Sequence, residues 1–316
     1  MTGTEAARKQ ENHAAKEGGD MTHFNNILAA VGEFPQDDDV LVRAAEIALT
    51  HDASLSVLHV IEFPEDLELA QSNVVRLQQE VRREARKSIN AAIERAAPGI
   101  KKADIHVEFG SSAAELAKHC ENFAPDLIVV RAHQRESILT KLIGSTTDRV
   151  VRGASAPVLV VKRPVKEPYQ RALLATDGRE GGAEALNYLA NLLPDIALSL
   201  VQVVTILPAL KQSLINTGIG QPAIDAHRAT LIGNAKVNLN TLANSISDRV
   251  VTTRVAAGGA GTVLTNATRS PKTDLVVVGP GRASLLRRAL IGSVTQKVIR
   301  DAACDVLVWR PWKGEE

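Results

Sequence analysis

Short apolar runs alternate along this chain with longer stretches at helical spacing. The first run is Asn26 to Val31, ending at Gly32; Ser54 to Val60, Ile105 to Phe109, Leu127 to Val130 and Val158 to Val161 follow. Runs this short, rich in Val, Ile and Leu and bounded by turn residues, read as buried strands. Helical stretches lie between them. One runs from the acidic Asp37-Asp38-Asp39 to about Thr50, where carboxylates suit the positive end of a helix. A long one covers roughly Leu67 to Ala97 and stops at Pro98-Gly99; its charges, such as Arg82, Arg83, Glu84, Arg86 and Lys87, predict a solvated face. Ser112 to Asn122, with Ser112 placed to cap it, and a stretch opening after Gly144-Ser145 complete the set.

After a proline-flanked linker, Lys162 to Pro168, the order repeats. Ala172 to Thr176, Leu198 to Val204, Val250 to Ala256, Leu275 to Val278 and Val306 to Trp309 read as strands. Gly182 to Leu192, Ala223 to Ser245, Thr262 to Arg269 and a stretch starting near Ser293 read as helices, while Leu207 to Pro222 is irregular. Asp126 and Asp274, Gly144-Ser145 and Gly292-Ser293, and Val158 and Val306 all stand 148 residues apart. The first strands match at 145, Leu28 with Leu173. A period this long means tandem domains rather than a solenoid, whose repeats are about 20–50 residues. The expected organisation is a disordered tail over residues 1–22, a first domain over 23–164 and a second over 169–312. Strand–helix alternation calls for an α/β fold: in each domain a five-stranded parallel sheet, Rossmann-like, with helices on both faces. In such sheets ligands sit beyond the carboxyl ends of the strands where strand order switches. The ends of the first and fourth strands, Asp177 and Gly279, are therefore expected neighbours.

Composition narrows the function. Aromatic residues are 3% of the 316, against 45% hydrophobic. The cores must be built from Ala, Val, Leu and Ile, and few rings remain to stack on nucleic-acid bases. A formal net charge of +1 supplies no field toward nucleic acid or an anionic membrane. Cys120 and Cys304 are too few for a disulfide framework, and no apolar run is long enough to span a bilayer; a cytoplasmic protein is the expectation. Residues 1–20 lack the apolar region of a signal peptide, and Met21 is an alternative start.

The second half gathers residues suited to an anion. Gly279 and Gly281 let backbone approach a bulky group without Cβ interference. Gly292-Ser293 opens a helix, whose free N–H groups and the Ser293 hydroxyl suit phosphate oxygens. Arg282, Arg287 and Arg288 add charge, and Asp177 can accept hydrogen bonds from an amine or hydroxyl. Taken singly, each has a plainer reading: a turn, a cap, a solvated face. Together, in one frame, they point to an anion site.

These residues resemble the universal stress protein family, from about Phe24 to Pro311. Its signature is Gly, two residues, Gly, nine residues, Gly, then Ser or Thr. Here Gly279 is followed after two residues by Arg282, and after nine more by Gly292-Ser293. Ala175 to Gly178, Ala-Thr-Asp-Gly, also looks like that family. The resemblance implies an adenine nucleotide alpha hydrolase-like fold and ATP or AMP in the second domain. Asp177 and nearby backbone would face adenine and ribose, and Gly279, Gly292 and Ser293 the phosphates. Arg282 departs from the signature; it either replaces backbone contacts with a charged one or fills the phosphate space. In the first half Gly32 stands where the Asp should be, Arg131 at the first glycine and Gln134 at the second. No nucleotide is expected there.

The resemblance further implies last strands, Val158 to Val161 and Val306 to Trp309, paired as an internal pseudo-dimer, with a homodimer as a further arrangement. A stress-resistance binding module is the expected function. A structural interaction protein and a slow ATPase are the alternatives. No catalytic or metal-ligating set stands out: a Walker A run, a GxSxG elbow and metal-ligand spacing are all missing. His119-Cys120 reads as a surface His beside a buried Cys, His133 as an unused residue of the altered loop, and Trp309 and Trp312 as packing at the end of the last strand.

Overall fold

The computed structural model describes residues 23–62, 71–132, 145–178, 181–206, 220–246, 249–281 and 291–311. The expectations for the amino-terminal tail, His133, Gln134, Gly144, the segment 207–219, Arg282, Arg287, Arg288 and Trp312 lie outside those residues. The chain divides into two compact units, Met1–Pro168 with Arg310–Glu316, and Tyr169–Trp309.

In the first unit β1 (Asn26–Val31), α1 (Asp38–Thr50), β2 (Ser54–Ile61), α2 (Gln71–Ala96), β3 (Ala103–Phe109), α3 (Ser112–Phe123), β4 (Leu127–Arg131), α4 (Ser145–Gly153) and β5 (Val158–Val161) follow one another. Among the described residues, five strands pair in parallel in the order β3-β2-β1-β4-β5. β5 is buried along its whole length, as is β4 up to Val130, which is why their sequences are unbroken apolar runs: helices cover both faces of a parallel sheet. α1 turns Val40, Leu41, Ala44, Ile47 and Ala48 inward, a helical stripe at three- and four-residue spacing. α2 buries only its later part, Ile89, Ala92 and Ile93, and leaves its charges in solvent.

The second unit repeats the scheme with β6 (Arg171–Thr176), α5 (Gly182–Leu192), β7 (Ala197–Val204), α6 (Gly220–Ala243), β8 (Val251–Ala257), α7 (Ala260–Ala267), β9 (Leu275–Val278), α8 (Ser293–Asp301) and β10 (Asp305–Val308). Its described strands pair in parallel in the order β10-β9-β6-β7-β8. Strand order thus switches between β1 and β4 in one unit and between β6 and β9 in the other. Leu174 is level with Val277, so two residues on Thr176 is level with Gly279. The loops after β6 and β9 therefore leave the sheet side by side, as the sequence predicts.

One device recurs in both units. Asp126 Oδ2 accepts the backbone N–H groups of Asn25 at 2.7 Å and Asn26 at 2.9 Å. Asp274 Oδ2 accepts those of Gln170 at 3.2 Å and Arg171 at 3.0 Å. Each carboxylate, set just before the fourth strand of its unit, fastens the start of the first. The linker read from the prolines is likewise tied down: Asp39 Oδ1 accepts the Val165 N–H, and Arg43 donates to the Glu167 carbonyl.

Three local readings are corrected. The residue preceding α3 is Ser111, not Ser112, and no side-chain bond caps the helix. Val250 precedes β8 and is 89% exposed. His119 is not a surface residue: it is 6% exposed, its ring stacked on Phe123 with centroids 4.1 Å apart and set edge-on to His106 at 4.6 Å. Four residues separate His119 from Phe123, one helical turn, so both rings share the face that meets β3. Burial, and secondarily the neighbouring His106, push the His119 imidazole down to about 4. Burial lowers His106 as well. Cys120, beside them, is buried as expected, and burial raises its thiol to about 12.

Candidate functional site

Beyond β6 the chain turns at once. Thr176 Oγ1 accepts the Gly178 N–H at 3.0 Å, and Gly178 adopts a left-handed φ of +76°. Gln202 of β7 donates its Nε2 to the Asp177 carbonyl at 3.1 Å. The main chain at Asp177 is thereby fixed while its side chain stays on the exposed surface.

Beyond β9 the glycines divide into two kinds. Gly281 has φ +85°, and a Cβ there would lie 2.9 Å from the Cα of Gly292. The Gly292 N–H donates to the Pro280 carbonyl at 2.8 Å. Gly281 and Gly292 are thus glycines because two backbones touch. Gly279 is different: a Cβ there would meet nothing within 4 Å. Among the described residues nothing requires a glycine at 279. Thr295 Oγ1 donates to the Gly279 carbonyl at 2.7 Å and locks the first turn of α8 to the end of β9. Gly292 is the residue before α8, in extended conformation, and as a glycine it brings no side-chain cap. Ser293 is exposed as its first residue. Amides of an uncapped first turn carry partial positive charge and suit an anion.

Of the residues expected to form the site, Asp177, Gly279, Gly281, Gly292 and Ser293 all lie at one edge of the second sheet, around the switch between β6 and β9. Arg282 is outside the described residues.

The first unit shows what the sequence did not reveal. Arg131 holds the place of Gly279, and Thr147 Oγ1 donates to its carbonyl at 3.0 Å, the counterpart of Thr295. Asp37 precedes α1, yet its side chain does not cap that helix. It turns back to β1, where Oδ2 accepts the N–H groups of Gly32 at 2.5 Å and Glu33 at 3.2 Å. Arg131 Nη1 lies 3.9 Å from the other oxygen. Asp37 is 1% exposed. A carboxylate of the chain itself thus occupies the crevice at the first switch point. The available signal was an aspartate six residues beyond a strand end, together with an arginine at the end of the neighbouring strand.

Among the described residues no group of three or more His, Cys, Asp or Glu side chains is placed to hold a metal ion. No helix among them is long and apolar enough to cross a membrane.

Two α/β units, each with a parallel sheet whose strand order switches once, define a tandem pair of doubly wound α/β domains. A sequence model of the Universal stress protein family matches residues 23–162 and again 168–310, and the chain belongs to that family, once with each unit. It is similar to Universal stress protein A homolog 1 of Coxiella burnetii, 32% identical over 143 residues that make up 44% of this chain and 96% of the relative. Universal stress protein G of Escherichia coli O157:H7 is 29% identical over 142 residues, 44% of this chain and 99% of its own. These relatives are thus the length of one unit. Among solved structures, a universal stress protein from Archaeoglobus fulgidus DSM 4304 superposes on 92% of this chain and 97% of its own, with a TM-score of 0.62 at 18% identity.

Proposed function

We propose that the chain is a stress-related binding module, not an enzyme, whose second unit takes an adenine nucleotide, ATP or AMP. Phosphate oxygens meet the uncapped first turn of α8 at Gly292 and Ser293 and the backbone of Gly279 to Gly281. Asp177 accepts hydrogen bonds from the nucleoside part. The observation that carries this reading is the contrast between the two switch points. In the first unit the amides after β1 are held by Asp37. In the second, a Cβ at Gly279 would meet none of the described residues within 4 Å, and α8 starts from a glycine, which brings no side-chain cap. The first unit takes no nucleotide.

Calorimetric titration of the whole chain with ATP and with AMP tests this. Saturable binding is expected, weakened about tenfold or more, ~1.4 kcal/mol, by Ser293→Ala and by Asp177→Ala. No heat of binding at millimolar nucleotide, or equal affinity in both variants, overturns it. Phosphate release from ATP that scales with protein and disappears in Ser293→Ala would instead identify a slow ATPase.

A further inference from the structure

We infer that the first unit carries an acid-released helix: protonation of His119 and His106 lifts α3 off its sheet while the rest of the unit stays folded. Three rings meet where α3 lies on β3. The His119 centroid is 4.1 Å from that of Phe123 and 4.6 Å from that of His106, and His106 is 4.8 Å from Phe123. His119 is buried, and the Nε2 atoms of both imidazoles are buried with no hydrogen-bond partner among the described residues. A neutral ring tolerates that position. A charged one has neither water nor an acceptor there.

Little else holds α3. It buries Leu116, His119 and Cys120, so an imidazole is one of its three buried side chains, whereas α1 buries seven residues. No side-chain bond caps its start. Ala124, which ends it, has a left-handed φ of +43°, a conformation unfavourable to a residue with a Cβ. The Phe123 carbonyl accepts Asn26 Nδ2 only at 3.4 Å. β3, against which the rings pack, is the outermost strand of its sheet. The chain beyond α3 is fastened separately, by Asp126 on the N–H groups of Asn25 and Asn26. α3 can therefore leave without drawing β4 from the sheet.

The surrounding charges do not reverse this. On β3, Asp104 favours the charged form of both imidazoles, and Glu108 that of His106. Arg86 of α2 opposes protonation of His106, and His106 opposes that of His119. α3 itself carries Glu115, paired with Lys118, and an exposed Glu121. α4, packed against α3, brings Asp148, paired with Arg152, and an exposed Arg149. β2 sets Leu58 opposite His106. Burial outweighs the carboxylates and lowers both imidazoles, His119 to about 4. Once released, each takes a proton near pH ~6.5. The released form binds more protons, so it gains on the closed form as pH falls. The second unit does not repeat the device: 148 residues on, Arg254 stands for His106 and Ala267 for His119.

The two cysteines report on the release. Cys120 is on the buried face of α3, and Cys304 is buried in the second unit. The full chain is treated at pH 7.5 and at pH 5 with a dipyridyl disulfide, which reacts with thiols in acid, and each cysteine is followed by peptide mass spectrometry. Cys304 corrects for the reagent's own pH dependence and for global unfolding. The ratio of Cys120 to Cys304 modification rates should rise about 30-fold from pH 7.5 to pH 5 through His119 alone. His119→Phe and His119→Gln should each cut that rise to a few-fold. Circular dichroism and Tm at pH 7.5 identify which of the two folds, and either one suffices. An unchanged ratio in the parent, both cysteines accelerating together, or an undiminished rise in a folded variant would each overturn the inference, whatever the outcome for nucleotide in the second unit.

Discussion

The carboxylate of Asp37 accepts the backbone N–H of Gly32 at 2.5 Å, five residues back along the chain and across the mouth of the first switch point. The side chain is buried, holds Glu33 as well, and faces Arg131. Removing it leaves two amides and a guanidinium without their acceptor. Asp37→Ala should cost on the order of 2–4 kcal/mol in urea denaturation of the whole chain. Asp37→Asn should cost less, because one amide oxygen can still accept. Equal stability of parent and Asp37→Ala would show that the contact contributes nothing.

The two glycines beyond β9 should respond oppositely. Gly281→Ala forces a side chain into left-handed backbone and against Gly292, and should lower stability by about 1–3 kcal/mol. Gly279→Ala meets none of the described residues and should leave Tm within about a degree of the parent. If phosphate occupies that space, the Gly279→Ala protein keeps its Tm and loses nucleotide affinity. Paired melting curves and titrations distinguish a structural glycine from a binding one.

The buried imidazoles predict a pH dependence. His106 and His119 are neutral in the fold, with pKa values lowered by burial, His119 to about 4. In the unfolded chain each takes a proton near pH ~6.5. The stability they preserve is therefore complete above pH ~6.5 and declines as pH falls toward 4, because the unfolded state binds more protons. The loss from His119 alone should reach on the order of 2–3 kcal/mol at about pH 4. Asp104 and Glu108 moderate the effect on His106, and Arg86 adds to it. Thermal unfolding between pH 7.5 and 4.5 should show the decline, and His119→Phe should flatten it.

Asp126 and Asp274 should behave as a matched pair. Each accepts two backbone N–H groups at the start of its unit's first strand. Asn at either position retains one accepting oxygen and loses the charge. Each substitution should destabilise its unit by about 1–2 kcal/mol. Hydrogen exchange should localise the effect to β1 for Asp126→Asn and to β6 for Asp274→Asn.

The sheets were readable because both faces of a parallel strand are covered, so Leu127 to Val130 and Val276 to Val278 are apolar without interruption. The nearness of the β6 and β9 ends, expected as Asp177 beside Gly279, followed from the alternation of elements alone. What escaped notice depends on side chains turning away from their own element. Asp37 looks like a helix-start carboxylate in sequence, and only the fold sends it to Gly32. His119 and Phe123 are a turn apart, but His106 arrives from a different strand, and adjacency to Cys120 suggested that one of the two must face water. The crowding around Gly178 needed Gln202 and Asn238, more than 20 residues away in sequence, to be brought together.

Cys120 gives a last consequence. A thiol raised to about 12 is almost wholly protonated at neutral pH, and only the thiolate attacks peroxides or alkylating reagents. Cys304 is buried too, its sulfur donating to the Asp305 carbonyl. Folded protein should therefore survive mild oxidant and iodoacetamide unchanged. Whatever signal this chain answers to, neither sulfur is its chemical receiver.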